Sequence, residues 1–253
     1  TNNNNGNILT PVKTDELLAQ GDFSNDKIFG NSLEQAVKLS SNEYHGERVP
    51  SIIFSCLDYL SQTGAGYQEG IFRLSGSTIM IKQLKEKFDT SYDIDLVNME
   101  VRPEINSVTG LLKLYLRELP ASVMTNEIDA RLHLVLSDYN RNLSNASPQL
   151  NRIKVDDKNN TAYLQYMYQL KSLVHQLPPV NRAVLYVLIK YLNTEVLSRN
   201  EYNKMNLRNL VIVFSATLSI EPKILAEFFI NFGFLWEDAN LINEDDRPSV
   251  DIG

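Results

Sequence analysis

The feature that most constrains this chain is the spacing of its apolar residues between Pro103 and Pro120. Ile105, Val108, Leu111, Leu112, Tyr115, Leu116 and Leu119 recur at helical intervals. At roughly 100° per residue they form one stripe, and Asn106, Gly110, Lys113 and Arg117 fall on the opposite side. Pro120 stops the pattern, because the residue before a proline is pushed out of the helical region. The same period returns along most of the chain, while the period-two alternation of a strand is nowhere convincing. These patterns predict an all-α fold: a single helical domain of about nine helices.

Local signals place the remaining helices. Ser32-Leu33-Glu34-Gln35 has capping-box spacing, so a helix is expected from Leu33 to about Ser40. Pro50 suits a first helical turn, followed by Ile52, Ile53, Cys56, Leu57 and Leu60 and stopped by Gly64-Ala65-Gly66. Ser77 can cap a helix whose Met80, Ile81, Leu84 and Phe88 face inward, and Tyr92 to Arg102 reads as a loop. Thr125 can cap a helix carrying Ile128, Leu132, Val135, Leu136 and Tyr139. Further helical faces run over Leu164, Met167, Leu170, Val174 and Leu177, closed by Pro178-Pro179, and over Val184, Leu185, Leu188, Tyr191 and Leu192. Leu207 to Phe214 and a helix opened by Pro222 on Leu225, Phe228, Phe229 and Phe232 complete the set. The domain is expected over 27–241, with 140–160 as a surface-loop insertion. The asparagine-rich 1–26 reads as a mostly disordered leader with a short helix from Thr14 to Gln20, and 242–253 as a loose acidic tail.

Composition removes several function classes. Hydrophobic residues make up 43% of the 253, enough for a sizeable core. The formal net charge of −7 argues against a general nucleic-acid binder, which would lean basic. No apolar run approaches the roughly 18 residues of a membrane span. The one cysteine, Cys56, excludes an internal disulfide and suits a reducing, cytoplasmic setting. It lies within Ile52-Ile53-Phe54-Ser55-Cys56-Leu57, where a packed thiol is the simpler reading than a nucleophile. His45, His133 and His175 are scattered and share no metal-ligand spacing with Cys56. There is no phosphate loop and no nucleophile–base pair, so the chain is not expected to hold a nucleotide or cofactor of its own.

One short stretch carries more chemistry than the rest, Glu69-Gly70-Ile71-Phe72-Arg73-Leu74-Ser75-Gly76-Ser77. Gly70 and Gly76 suit a tight exposed turn, and Ile71, Phe72 and Leu74 can anchor it while Arg73 points outward. A cation on an anchored loop suits an anionic target, because little ordering entropy is lost on binding. On composition alone a solvated arginine beside a helix start is the commoner reading. Lys113 and Arg117, four apart, are neighbours on their helix, and two like charges there cost a few tenths of a kcal/mol. Ordinary exposed cations, Arg117 pairing with Glu118 or Glu104, remain the alternative for that pair.

The loop resembles the arginine-finger loop of RhoGAP domains, which activate Rho-family GTPases. The resemblance extends from about Phe29 to Phe232 through separated motifs in order. These are Phe29-Gly30, Val49-Pro50 with its apolar helix, and Leu111-Leu112-Lys113-Leu114-Tyr115-Leu116-Arg117-Glu118-Leu119-Pro120. Leu177-Pro178 with Asn181, and Lys204-Met205 with Asn209-Leu210-Val211 and Val213-Phe214, follow. It implies that Arg73 is the finger inserted in trans into a GTPase, which brings its own GTP and magnesium. It also implies that Lys113 and Arg117 line the surface meeting the switch regions, Arg117 supporting the finger loop as well. Asn209 would hydrogen-bond at the same contact, although alone it reads as a structural helix residue. Such a domain is not an enzyme by itself but completes its partner's active site. The asparagine runs suggest a fungal cell-polarity regulator, recruited to the cortex or membrane by regions outside this sequence. The family usually reads Gly-Pro-Asn where this chain has Ser215-Ala216-Thr217. That departure keeps open a catalytically weak module that binds Rho-type GTPases as an adaptor.

Overall fold

The computed structural model describes residues 27–145 and 161–242. The leader, its short helix, the acidic tail and most of the expected loop insertion lie outside those residues. The chain enters on Ile28 and Phe29, whose amides both donate to the Asp89 carboxylate at 3.0 and 2.9 Å. Helix α1 (Leu33–Leu39) begins where the capping spacing predicts, with the Ser32 hydroxyl accepting from the Gln35 amide.

A short hairpin then departs from the all-helical expectation: β1 (Ser41–Tyr44) pairs antiparallel with β2 (Glu47–Pro50), Asn42 opposite Val49. His45 and Gly46 turn it with φ of 51° and 78°, the doubly left-handed geometry of the tightest hairpins. Four-residue strands are too short for alternation to register, and His45 is an unusual residue for that turn. The hairpin leads into α2 (Ser51–Gln62), where Ile52, Ile53, Cys56, Leu57 and Leu60 are all buried.

The remaining helices follow in chain order. They are α3 (Thr78–Ser91), α4 (Ile105–Arg117), α5 (Asn126–Asn145), α6 (Thr161–His175), α7 (Pro179–Tyr191), the short α8 (Asn200–Asn203), α9 (Leu207–Leu218), α10 (Pro222–Ile230) and α11 (Phe232–Trp236). Helix α4 occupies the centre, against α2, α3 and α9, and its predicted stripe is the face that packs inward. Helices α5 and α6 pair along their lengths, so the expected loop starts no earlier than Asn145; 140–145 is the end of α5. Its start follows the expected cap, with Thr125 Oγ1 accepting from the Ile128 amide at 3.4 Å.

Three further boundaries differ from the periodicity. Pro179 is the first residue of α7 rather than the end of α6. Helix α7 loosens into a π-type turn over Leu192–Val196. The last predicted helix is two, because the Asn231 backbone breaks between α10 and α11.

Candidate functional site: a braced arginine loop

The loop after α2 is built almost wholly from backbone bonds. A 3₁₀ turn over Ala65–Tyr67 is followed by Gln68 N–H to Ala65 O (2.9 Å) and Ile71 N–H to Gln68 O (3.2 Å). Gly70 O then accepts from both Arg73 and Leu74, each at 2.9 Å. Gly70 has φ of 69°, which a glycine adopts without steric penalty. Its own amide donates to Asn203 O at 2.8 Å, tying the loop to the end of α8. At the other end Gly76 lies flat on α4: a Cβ there would come within 2.3 Å of the Ser107 nitrogen. Ser107 Oγ accepts from Ser77 N–H at 3.1 Å, and the Ser77 side chain caps α3.

Phe72 is the anchor. It has φ of 65°, uncommon for a bulky residue, and is completely buried. Its ring meets Phe214 edge-on at 5.1 Å and Tyr191 at 6.4 Å. The Lys113 ammonium donates to the Phe72 carbonyl, so both halves of the residue are held. Arg73, next in sequence, is exposed and makes no ion pair among the described residues.

Of the other predicted residues, Lys113 is half-buried, and its pKa is held below the ordinary lysine value, first by burial and second by the Arg117 charge. Arg117 is exposed one turn further on. It forms no ion pair with Glu118, whose carboxylate is taken by Lys85 at 2.6 Å, nor with Glu104. The contact with the finger loop, expected of Arg117, is made by Lys113. The helix period gives both residues the same face, and of the two only Lys113 donates a hydrogen bond to the loop among the described residues. Asn209 stands in the first turn of α9; its amide donates to Lys204 O at 3.0 Å, and its N–H is capped by Asn206. Among the described residues its side-chain oxygen accepts no hydrogen bond. Helix α9 runs unbroken through Ser215-Ala216-Thr217, with Thr217 Oγ1 donating to Val213 O at 2.8 Å. The departure from the family pattern therefore leaves the helix that carries Asn209 intact.

Sequence reasoning missed Asn203. It is fully buried, and its amide donates to Gly66 O and Val196 O, both at 2.7 Å, while its Oδ1 accepts from Met205 N–H at 2.7 Å. Together with its carbonyl on Gly70, it joins the loop, the π-type turn and the entry to α9. An asparagine flanked by Tyr202 and Lys204 offers no periodic signal, so only the three-dimensional contacts reveal it.

Fold and site together define a helical module that holds out a cation on a loop braced from both sides. The model of the RhoGAP domain matches residues 50–223, and the chain belongs to that family. It is 35% identical over 260 residues to "GTPase-activating protein BEM3" of Saccharomyces cerevisiae, covering 96% of this chain and 21% of that protein. It is also 35% identical over 235 residues to "Probable Rho-type GTPase-activating protein 2" of Schizosaccharomyces pombe, covering 92% of this chain and 16% of that one. The chain thus spans about a fifth of the length of the first relative and about a sixth of the second. Among solved structures, that of human Rho GTPase activating protein 15 shares the fold, with a TM-score of 0.65 at 23% identity over 84% of this chain and 93% of that one.

Proposed function

We propose that this domain binds the GTP form of a Rho-family GTPase and accelerates hydrolysis by inserting Arg73 in trans. The observation that supports it most is the pairing of an exposed guanidinium, without an ion pair among the described residues, with a preceding residue that is wholly buried. The loop is already ordered, so little of the binding free energy goes into ordering it. GTP hydrolysis develops negative charge on the transferring phosphoryl oxygens, and a planar cation placed there stabilises the transition state more than the ground state. For the related Ras case such a finger is worth roughly 10³ to 10⁵ in rate, or about 4 to 7 kcal/mol of barrier. GTP and its magnesium ion belong to the partner. Arg117 and the free oxygen of Asn209 meet the switch regions, while Lys113 holds the finger's backbone. Recruitment to the cortex or membrane by segments beyond this domain belongs to the same reading. Among the described residues no helix is long and apolar enough to cross a membrane.

Single-turnover hydrolysis across a panel of Rho, Rac and Ras GTPases tests the reading. Wild type should stimulate a Rho-type member, and Arg73→Ala should lose far more than tenfold of that stimulation while still binding the GTP form. Binding should be weakest to the GDP form and tightest to the GDP–aluminium fluoride form, with at least about 10²-fold between the GTP and fluoride forms. Equal affinity of wild type for the GTP and fluoride forms would leave an adaptor as the better description.

A further inference from the structure

Large exposed apolar side chains gather around the arginine loop. Tyr67, Leu74 and Ile79 stand 57%, 46% and 73% exposed on one segment, and Tyr202 and Ile212 stand 65% and 54% exposed on another. The two segments meet where Gly70 N–H donates to Asn203 O. Scattered apolar side chains are normal on a surface, but a cluster is not.

Within this group Tyr67 and Tyr202 pack edge to face, with ring centroids 5.5 Å apart. Arg199 stands over the Tyr67 ring at 4.9 Å and is itself fixed. Its guanidinium donates to Thr194 O (3.0 Å) and Glu195 O (2.8 Å) and pairs with the Glu195 carboxylate at 3.0 Å. The Arg199 charge is thereby neutralised locally. What the surface offers is a rigid, uncharged aromatic step. Tyrosines held in one geometry lose little entropy on binding and are frequent centres of interface energy.

We propose that Tyr67 and Tyr202 form a second contact for the same GTPase that receives Arg73, seated on an apolar patch of that partner. The proposal rests on the GTPase reading above. Continuity commits it to that partner. Tyr67 lies three residues before Gly70, and Tyr202 adjoins the asparagine that holds Gly70, so a protein engaging Arg73 meets the aromatic step beside it. The two rings themselves carry no charge, and the exposed Glu69 and Glu201 flank them. The aromatic step sets affinity and leaves the chemical step alone, and its contribution is insensitive to salt, unlike that of Arg117.

The test measures affinity for the responsive GTPase loaded with a non-hydrolysable GTP analogue, together with the stimulated rate at saturation. The variants are Tyr67→Ala with Tyr202→Ala, Tyr67→Phe with Tyr202→Phe, and Arg73→Ala. The double alanine variant should weaken binding by about tenfold or more, equally at low and high salt, with an unchanged saturated rate. The double phenylalanine variant should stay close to wild type in affinity, and each variant is compared well below its own unfolding temperature. Unchanged affinity in the double alanine variant would overturn the proposal, and so would concentration-dependent self-association of wild type that the same substitutions abolish. If Arg73→Ala kept full stimulation, the finger reading itself would fail, a result distinct from either.

Discussion

Lys113 shows how a surface cation becomes part of a site's interior. Its stem is half-buried, and its ammonium is spent on the Phe72 carbonyl. Lys113→Met keeps the apolar stem and removes the donor, leaving a buried carbonyl unsatisfied at about 1–3 kcal/mol. The expected result is a lower stimulated rate at saturating GTPase, with a smaller change in affinity for the GTP form. Arg117→Ala should do the reverse and weaken association, most strongly at low salt. Stability should carry a second signature. The native Lys113 pKa lies below its ordinary 10.5, so between the two values the unfolded chain binds more protons. Over that window the Lys113 contribution to stability rises with pH. Urea unfolding across the alkaline range below 10.5 should show wild type gaining on Lys113→Met as pH rises; a flat difference would place the lysine in water. The sequence showed which side of α4 carries Lys113 and Arg117, since a helical period fixes faces. It could not show whose terminal atom reaches the loop, because that depends on where the neighbouring segment lies.

The loop and α4 meet so closely that a single methyl group decides their fit. A Cβ at Gly76 would fall 2.3 to 2.5 Å from main-chain atoms of Asn106 and Ser107, and neither backbone can yield without moving the helix. Gly110, on the same face of α4, would meet only the end of the Ile81 side chain at 2.6 Å, which can turn aside. Gly76→Ala should therefore destabilise the domain by about 1–3 kcal/mol and reduce stimulation beyond the loss of folded protein. Gly110→Ala should be near neutral, because the helix gains up to about 1 kcal/mol in propensity. Thermal unfolding and single-turnover rates on the two variants compare them directly; equal effects would contradict the close approach. Among the elements, long periodic helices were legible and their ends less so. Helix α5 runs on to Asn145 through polar residues that suggest a loop. The β1–β2 hairpin escaped notice because four residues are too few to alternate.

At the scale of the whole molecule, α2 packs against α4, α7 and the β1–β2 hairpin, and Cys56 lies at its middle with no exposed surface. Burial pushes its thiol pKa well above the ordinary cysteine range. A thiol reagent should therefore leave the native domain unlabelled and modify Cys56 only as the core opens. Labelling rates should follow global stability across a denaturant series; rapid labelling without denaturant would show a locally open core. Among the described residues the single helical domain and its core were largely readable in advance, since Leu, Ile and Phe at helical spacing leave few alternatives. The joints between segments, of which Asn203 is the chief one, were not, because a buried polar hub has no period.

Phe72 joins the inside of the molecule to its outside. Arg73, which we propose meets the partner, and the residue packed on Phe214 and Tyr191 are consecutive, with no slack between them. Selection on an exposed arginine thus reaches three buried rings. A lineage that lets those rings drift, keeping volume and stability, would still alter the direction in which the guanidinium leaves the surface. On the finger reading, these interior positions serve signalling as well as folding.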